Sequence, residues 1–275
     1  MKLKILGSAG ALPFPKPGCT CKDCLKARKL GIPYERISPS LFVNPDILID
    51  TPESVYQRLT QFNINTIRHV FYTHWHHDHT QGFRLLEMLC KSGFAGKSNN
   101  PPINVYLPTD TKPEMKKYVE SLFYYEKRGF VKIIEVQDRQ PVKLNNISIA
   151  PVNLKRDDRI RYAFLIEQQG KKAMYAPCSI YKTKFDKFWE NLDLLMIEAG
   201  WKGPTKEIRD AKKLDYVHDH QSMEESFEII QKLKPKRTIL THLCGAEHHT
   251  YDYVKSQTDK HENVDTAYDG MDIEV

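Results

Sequence analysis

The segment THWHHDH, from Thr73 to His79, places four histidines and an aspartate within seven residues. It follows the run HVFY, whose apolar and aromatic residues predict a strand that ends at the cluster. Residues i and i+2 of an extended segment point the same way, so His74 and His76 can converge on one ion, while Asp78 and His79 can reach a second position beside it. The spacing H-x-H-x-D-H therefore predicts a metal centre rather than a solvated, histidine-rich loop. Imidazole and carboxylate ligands together suit zinc, manganese or iron.

Strand-like and helical runs alternate along almost the whole chain, which favours an α/β fold. The chain has 275 residues, of which 40% are hydrophobic and 28% charged, and this composition excludes a disordered or fibrous protein. We expect one domain over residues 1–275, because no linker, repeat or low-complexity tract marks a boundary. The periodicity predicts helices over residues 112–127 and 181–192 and a final hairpin around residues 268–275.

The charge balance is mildly basic. Lysine and arginine exceed aspartate and glutamate by 41 to 35, which gives a net charge of +6 and a pI near 8.8. This balance suits a small anionic substrate, but no dense basic run indicates nucleic acid. The opening MKLKILGSAG lacks the apolar core of a signal peptide, and no stretch approaches the length of a membrane span. We therefore expect a cytoplasmic protein with neither membrane nor nucleic acid as partner, and leave a homodimer open.

A second cluster lies in the loop at about residues 13–30, where Cys19, Cys21 and Cys24 form the pattern C-x-C-x2-C. Clustered cysteines in a cytosolic protein bind metal more often than they form disulfides. Three thiolates at this spacing can occupy three corners of a tetrahedral zinc ion. The loop is therefore predicted to be a structural zinc knuckle, and the alternative is three free thiols on a loop.

The segment THWHHDHTQG, together with Asp50 in DILIDT and His242 in ILTH, resembles the metallo-β-lactamase superfamily. That resemblance implies an αββα four-layer sandwich with a metal site at the edge between its two sheets, to which His242 contributes a ligand. Asp50 is expected to orient a ligand loop through hydrogen bonds rather than to bind the ion. The opening GSAGALPFPKPGCTCKDCLKAR and the ending AYDGMDIEV resemble the branch that contains the cyclic-phosphate phosphodiesterase of the carbon-phosphorus lyase pathway and the pyrroloquinoline quinone biosynthesis protein B.

The sequence departs from this pattern at two expected ligand positions. The resemblance implies a third-motif histidine where Leu154 stands, and a bridging aspartate where Cys178 stands. No histidine occurs between His79 and His218, so a shifted alignment does not restore the first ligand. A thiolate at Cys178 would favour zinc or iron over manganese; the alternative is a buried small hydrophobic residue. Whether the centre holds one or two ions stays open.

The fourth ligand of the knuckle is also displaced. In the phosphodiesterase that the knuckle resembles, this ligand is a histidine three residues after the TH histidine, which corresponds to Gly245 here. Cys244 and His248, in THLCGAEHHT, are the nearby substitutes. His248 is slightly preferred, because the loop is long enough to fold back.

A bound ion would acidify a water molecule, so that hydroxide attacks phosphorus or a carbonyl, with Asp78 helping to hold ion and water. His220, in VHDHQS, matches a position from which a histidine of this branch enters the active site, where it would act as general acid. The run NLKRDDRIR would orient an anionic substrate through Lys155, Arg156 and the arginines that follow. The alternative is a solvated charge run.

These observations predict a metal-dependent hydrolase, in particular a phosphodiesterase that acts on a small phosphate ester, cyclic esters included. The expected cofactors are a structural Zn²⁺ and one or two ions of Zn²⁺, Mn²⁺ or Fe²⁺ in the active site. Two alternatives remain: an iron-dependent oxidising or cofactor-maturation enzyme resembling the biosynthesis protein B, and a degenerate, non-catalytic binding protein.

Overall fold

The computed structural model of the protein describes residues 1–90, 101–154, 159–200, 220–244 and 249–275. Within these ranges the strands form two sheets of seven. The first sheet contains β1 (Lys2–Gly7), β2 (Ser40–Val43), β3 (Ile47–Ile49), β4 (His69–Phe71), β5 (Ile103–Pro108), β6 (Val131–Val136) and β14 (Asp272–Glu274). The second contains β7 (Val142–Leu144), β8 (Ile147–Asn153), β9 (Tyr162–Gln168), β10 (Lys171–Ala176), β11 (Leu194–Glu198), β12 (Thr238–Thr241) and β13 (Val264–Thr266).

Both sheets are mixed. The first has the order β14-β1-β2-β3-β4-β5-β6, with antiparallel pairs from β14 to β3 and parallel pairs from β3 to β6. The second has the order β13-β12-β11-β10-β9-β8-β7, with parallel pairs from β13 to β10 and antiparallel pairs from β10 to β7. Each sheet therefore has a block of parallel strands whose carboxyl ends share one edge.

Helices cover the outer faces of the two sheets. The helices are α1 (Lys22–Leu30), α2 (Val55–Gln61), α3 (His77–Thr80), α4 (Leu85–Cys90), α5 (Lys112–Tyr118), α6 (Glu120–Lys127), α7 (Met223–Leu233) and α8 (Tyr251–Thr258). Short 3-10 helices span Gln81–Arg84, Thr109–Thr111 and Lys187–Trp189. No helix in the described ranges is both long enough and apolar enough to cross a lipid bilayer.

The alternation of side chains along each strand produces the layers. On β4, Phe71 joins the apolar cluster between the two sheets, whereas Val70 faces the cluster under the helices of the first sheet. On β11, Met196 lies between the sheets and Leu195 faces the helices of the second sheet. Three apolar layers thus separate four layers of secondary structure, which confirms the predicted αββα sandwich.

Two predicted helices are corrected by the structure. The expected helix over residues 112–127 is broken at Val119, where φ is −129° and ψ is 41°, so that α5 and α6 are separate elements. Val119 is 3% exposed and packs into the apolar cluster of the first sheet. The expected helix over residues 181–192 is reduced to Lys187–Trp189, because Asp186 is extended and its carboxylate accepts the Phe188 N–H. Burial and capping outweigh helical periodicity at these positions.

The predicted final hairpin is also wrong. Strands β13 and β14 belong to different sheets, β13 pairing with β12 and β14 with β1. The connection between them crosses the sandwich, and Asp269 anchors it there. The buried carboxylate of Asp269 accepts hydrogen bonds from Ser8 N–H, Ile37 N–H and the Arg58 guanidinium. These hydrogen bonds fix the connection that leads from β13 in the second sheet to β14 in the first.

The shared edge of the parallel strands collects the polar residues of the two sheets. Each of the segments concerned lies at or directly after the carboxyl end of a strand: Asp50 after β3, Thr73–His79 after β4, Cys178 after β10, Glu198 on β11 and His242 after β12. The carboxyl ends of parallel strands are the usual place for ligand sites in such sheets. This edge is therefore the candidate functional site.

Candidate metal centre

The histidine segment turns inward as it leaves β4. The chain is non-helical through His76, and α3 begins at His77. Its single turn brings Asp78 and His79 into the interior, where they are 9% and 1% exposed, and His74 is 1% exposed. His77 points to solvent, and Trp75 stacks on Tyr118 with 4.0 Å between the ring centroids. His77 and Trp75 thus lie outside the buried cluster.

Asp50 orients this segment from a fully buried position. One carboxylate oxygen accepts the Thr73 N–H at 2.9 Å, and the other accepts from His79 Nδ1 at 2.8 Å. The Thr73 hydroxyl donates to Asp50 at 2.9 Å and lies 3.0 Å from His74 Nδ1. This network places a proton on Nδ1 of both His74 and His79 and leaves each Nε2 atom available as a ligand.

Ligand-type atoms of both sheets meet at this edge. Within each of three groups the ligand atoms lie no more than 4.8 Å apart: His74, His79 and Cys178; Asp78, His79 and His242; and Glu198, His220 and His242. His76 joins none of these groups within the described residues, although its ring lies 4.4 Å from that of His74. The structure therefore groups His74 with His79 and Cys178, and the ring of His76 lies beside that of His74.

The charges at the site are balanced by protons on imidazoles. Burial opposes the charged form of His242, but Glu198 and Asp78 outweigh it and raise the pKa of His242 to about 10. Burial likewise opposes the charge on His79, yet Asp78, Cys178 and Asp50 raise its pKa well above the usual value. A divalent cation would offset the same negative charges by displacing these protons.

The nitrogens of His74 and His242 match such a cation. Burial and the neighbouring His79 hold the pKa of His74 well below its ordinary range, so this imidazole is neutral. Its Nε2 is buried and has no hydrogen-bond partner among the described residues, and the same holds for Nε2 of His242. Buried polar atoms without partners are rare in folded proteins. Two such nitrogens beside Asp78 and Cys178 fit a bound metal ion.

Glu198 is a residue of the site that the sequence interpretation missed. It ends β11, is fully buried, and accepts a hydrogen bond from His220 Nδ1 at 2.7 Å. The same oxygen lies 3.1 Å from His242 Nδ1. Burial acts to raise the pKa of Glu198, but His242 and His220 lower it to about 2. A carboxylate at the end of the apolar run DLLMIE was the available signal.

Comparison with known proteins agrees with this geometry. A sequence model described as the beta-lactamase superfamily domain matches residues 46–243, more than half of the chain. The chain belongs to this superfamily. It is also 21% identical over 279 residues to an octanoyltransferase from Porphyromonas gingivalis. The match covers 99% of the chain but 51% of that protein, so the chain spans about half the length of this curated relative.

Solved structures show the same fold. A diphosphatase of the PhnP family aligns with a TM-score of 0.76 at 22% identity, over 100% of this chain and 96% of the other. Zn²⁺-bound PqqB from Methylobacterium extorquens aligns with a TM-score of 0.73 at 17% identity, over the whole of both chains. The short form of human tRNase Z aligns with a TM-score of 0.67 at 17% identity, over 100% and 99% of the two chains.

Two residues stand where the resemblance implied other metal ligands. Leu154, where the resemblance implied a histidine, is 1% exposed and packs into the apolar cluster of the second sheet. Cys178, where it implied an aspartate, is 5% exposed, with its sulfur 3.6 Å from His79 Nε2. The thiol therefore lies among the ligand-type side chains, while the leucine belongs to the core.

A cavity of about 360 Å³ opens beside the buried cluster. It is lined by His74, Trp75, His76, Glu114, Arg159 and Arg161. Lys155 and Arg156, the predicted substrate-binding residues, lie outside the described residues. The two arginines that follow them in NLKRDDRIR, Arg159 and Arg161, line the cavity. They outnumber Glu114, the acidic residue in the same lining.

The knuckle forms a separate cluster. The sulfur atoms of Cys19, Cys21 and Cys24 lie within 4.8 Å of one another at the start of α1. Phe14 and Ala27 pack against them in a small apolar cluster of their own. Of the proposed fourth ligands, Cys244 is not part of this group, and His248 lies outside the described residues.

Proposed function

We propose that this member of the superfamily is a metal-dependent hydrolase, specifically a phosphodiesterase for small phosphate esters. The observation that carries the proposal is the meeting of buried Asp78, His79, Cys178 and His242 at the edge shared by both sheets. Two buried carboxylates, Asp50 and Glu198, fix the orientation of these imidazoles. Such preorganisation is typical of catalytic metal sites rather than of incidental histidine clusters.

These four residues, with His74, would hold the metal ion. Zinc suits this combination of imidazole, carboxylate and thiolate ligands better than manganese does. When bound, the ion would activate water as the nucleophile and offset the negative charge that develops on phosphorus. The knuckle cysteines would hold a second, structural zinc ion that secures the loop before α1.

His220 would act as general acid. Its Nδ1 donates to Glu198 at 2.7 Å, so Nε2 would be the atom that delivers the proton. The side chain is 25% exposed, so it is more accessible to a substrate than the buried His242 against which its ring stacks. Glu198 holds the imidazole in one orientation for proton transfer to the leaving oxygen.

The cavity supports an anionic substrate. Arg159 and Arg161 contribute positive charge to its wall, and guanidinium groups bind phosphate oxygens in pairs. The similarity in fold to a diphosphatase supports chemistry at a phosphate group. We infer that the partner of this protein is a small anionic molecule, and neither a membrane nor a nucleic acid.

Turnover of bis-p-nitrophenyl phosphate tests the proposal. Protein stripped by a chelator and reloaded with Zn²⁺, Mn²⁺ or Fe²⁺ should release p-nitrophenol, most rapidly with zinc. His220→Gln should lower kcat by about 10²–10⁴-fold toward a diester with an alkoxide leaving group, which needs a proton, and by less toward the nitrophenyl ester. His261→Gln, at an exposed position, should leave both rates unchanged. Oxygen consumption by an iron-loaded protein without ester hydrolysis would refute the proposal, as would zinc binding without any turnover.

A further inference from the structure

The capacity of the centre for metal is limited by His79. This histidine belongs to two of the three ligand groups, with His74 and Cys178 in one and with Asp78 and His242 in the other. Its Nδ1 is committed to Asp50, so only Nε2 has a lone pair to offer. A single imidazole nitrogen binds one ion at a time. The two groups therefore cannot each hold an ion through His79.

A second ion beside His74 and His76 lacks a ligand set. No group of three ligand atoms within 4.8 Å of one another includes His76 in the described part of the chain. Leu154, which the resemblance placed at the third ligand position, is buried in apolar surroundings. Two imidazoles without a carboxylate or thiolate of their own make a weak site for a divalent cation.

A guanidinium lines the same cavity as the two imidazoles that a second ion would need. Arg161 is 3% exposed and lines the cavity together with His74 and His76. Its backbone is fixed on both sides, since Leu154 N–H donates to Arg161 O at 3.0 Å and Tyr162 N–H donates to Thr73 O at 3.2 Å. The positive charge of a guanidinium on the wall shared with these two imidazoles disfavours a second cation beside them.

We propose that the centre uses one metal ion and one guanidinium, with Arg161 in place of a second ion. Arg161, assisted by Arg159, holds two oxygens of the phosphate in the cavity while the ion lies on the far side of His74. This inference rests on the proposed function and narrows its substrate. A volume of about 360 Å³ is at the small end of ligand pockets, so the substrate is a small phosphate ester rather than a polymer.

The metal count tests the first half of the proposal. Bound zinc is measured by mass spectrometry in the wild type and in His79→Gln after dialysis against the same zinc buffer. The wild type should hold two equivalents, one in the knuckle and one in the centre, and the variant should hold only the knuckle ion. Three equivalents in the wild type, or two in the variant, overturn the one-ion centre. Cys178→Ser provides a second variant: cobalt-loaded protein should lose part of its thiolate-to-cobalt absorption, and an unchanged spectrum counts against the site.

Calorimetric binding of inorganic phosphate to the zinc-loaded protein tests the second half. Arg161→Met should weaken phosphate binding by about tenfold or more. The phosphate affinity of Arg161→Lys should lie between those of Arg161→Met and the wild type, because lysine keeps the charge but cannot donate two parallel hydrogen bonds. Arg68→Met is the control, because it removes the same charge from a side chain that is 69% exposed. It should bind phosphate with the affinity of the wild type. Zinc content should be equal in all four proteins.

Either of two results overturns the role of Arg161. One is phosphate binding by Arg161→Met within about twofold of the wild type; the other is no detectable binding by the wild type. If Arg161→Met does not fold, Arg159→Met is measured in its place and should also weaken binding. Both halves are measured without turnover. A protein that passes them but hydrolyses no ester would refute the proposed function and leave this inference standing.

Discussion

Replacement of Asp50 by asparagine should weaken metal binding at the centre while the protein still folds. Asparagine suits the position because the backbone there is left-handed, with φ at 61°, a conformation that asparagine tolerates. The amide oxygen can still accept the Thr73 N–H that Asp50 accepts at 2.9 Å. The amide nitrogen then faces His79 Nδ1, where the native carboxylate oxygen lies at 2.8 Å.

The consequence follows from the tautomer of His79. An amide N–H facing Nδ1 requires that nitrogen to be an acceptor, which moves the proton of the neutral ring to Nε2. Nε2 is the atom that lies 3.3 Å from Asp78 and 3.6 Å from the Cys178 sulfur, so the ligand is lost. Replacing a residue that orients a ligand lowers metal affinity by about 10–100-fold, or about 1.4–2.8 kcal/mol.

Zinc affinity measured by competition with a chromophoric chelator tests this expectation, with thermal melting as the check on folding. The matched control is Asp272→Asn, because this carboxylate pairs with Lys4 at 2.7 Å on the surface and is 78% exposed. Exposed pairs contribute about 0–1 kcal/mol, so the control should bind zinc normally. Zinc affinity of Asp50→Asn within about twofold of the wild type would show that the tautomer argument is wrong.

Three further substitutions separate orientation, capping and stability. Gly10→Ala places a Cβ atom 3.1 Å from His242 Nδ1, so turnover should fall by about tenfold or more with the melting temperature retained, and an unchanged kcat would contradict this. Ser222→Ala removes the capping box of α7 and should cost about 1 kcal/mol in urea denaturation. Cys21→Ser should lower the melting temperature, whereas His220→Gln should lower turnover and keep the fold; equal defects in both would argue against a separate structural knuckle.

Local patterns predicted the part of the site that lies within single segments. The spacing in THWHHDH marks a strand that ends in ligands, and β4 does end two residues before Thr73. This spacing is a local feature, because it depends on residues close together in sequence, where side-chain spacing determines which groups can meet. Asp50 and His242 were identified instead through the resemblance to the superfamily, and the structure places both at the same edge.

Pairings between distant segments were not predictable in the same way. Glu198 contacts His242 because β11 and β12 are parallel neighbours in which Glu198 lies opposite Thr241. That register depends on the strand order of the whole second sheet, and no local pattern encodes it. Arg161 likewise reaches the cavity only because β9 begins beside the segment that carries Thr73. The break at Val119 has the same origin, since its burial depends on the packing of a sheet that the helical period does not describe.

The two buried carboxylates of the centre are expected to have different functions, although both face imidazoles from the Nδ1 side. Asp50 contacts His79, whereas Glu198 contacts both His242 and His220. Loss of metal alone should therefore explain the defect of Asp50→Asn, and excess zinc should restore its kcat. Glu198→Gln also removes the carboxylate that orients His220, the general acid. The kcat of this variant should therefore stay about 10²-fold below that of the wild type at saturating zinc. Full recovery of Glu198→Gln by zinc would limit Glu198 to holding His242 and would remove His220 from the mechanism.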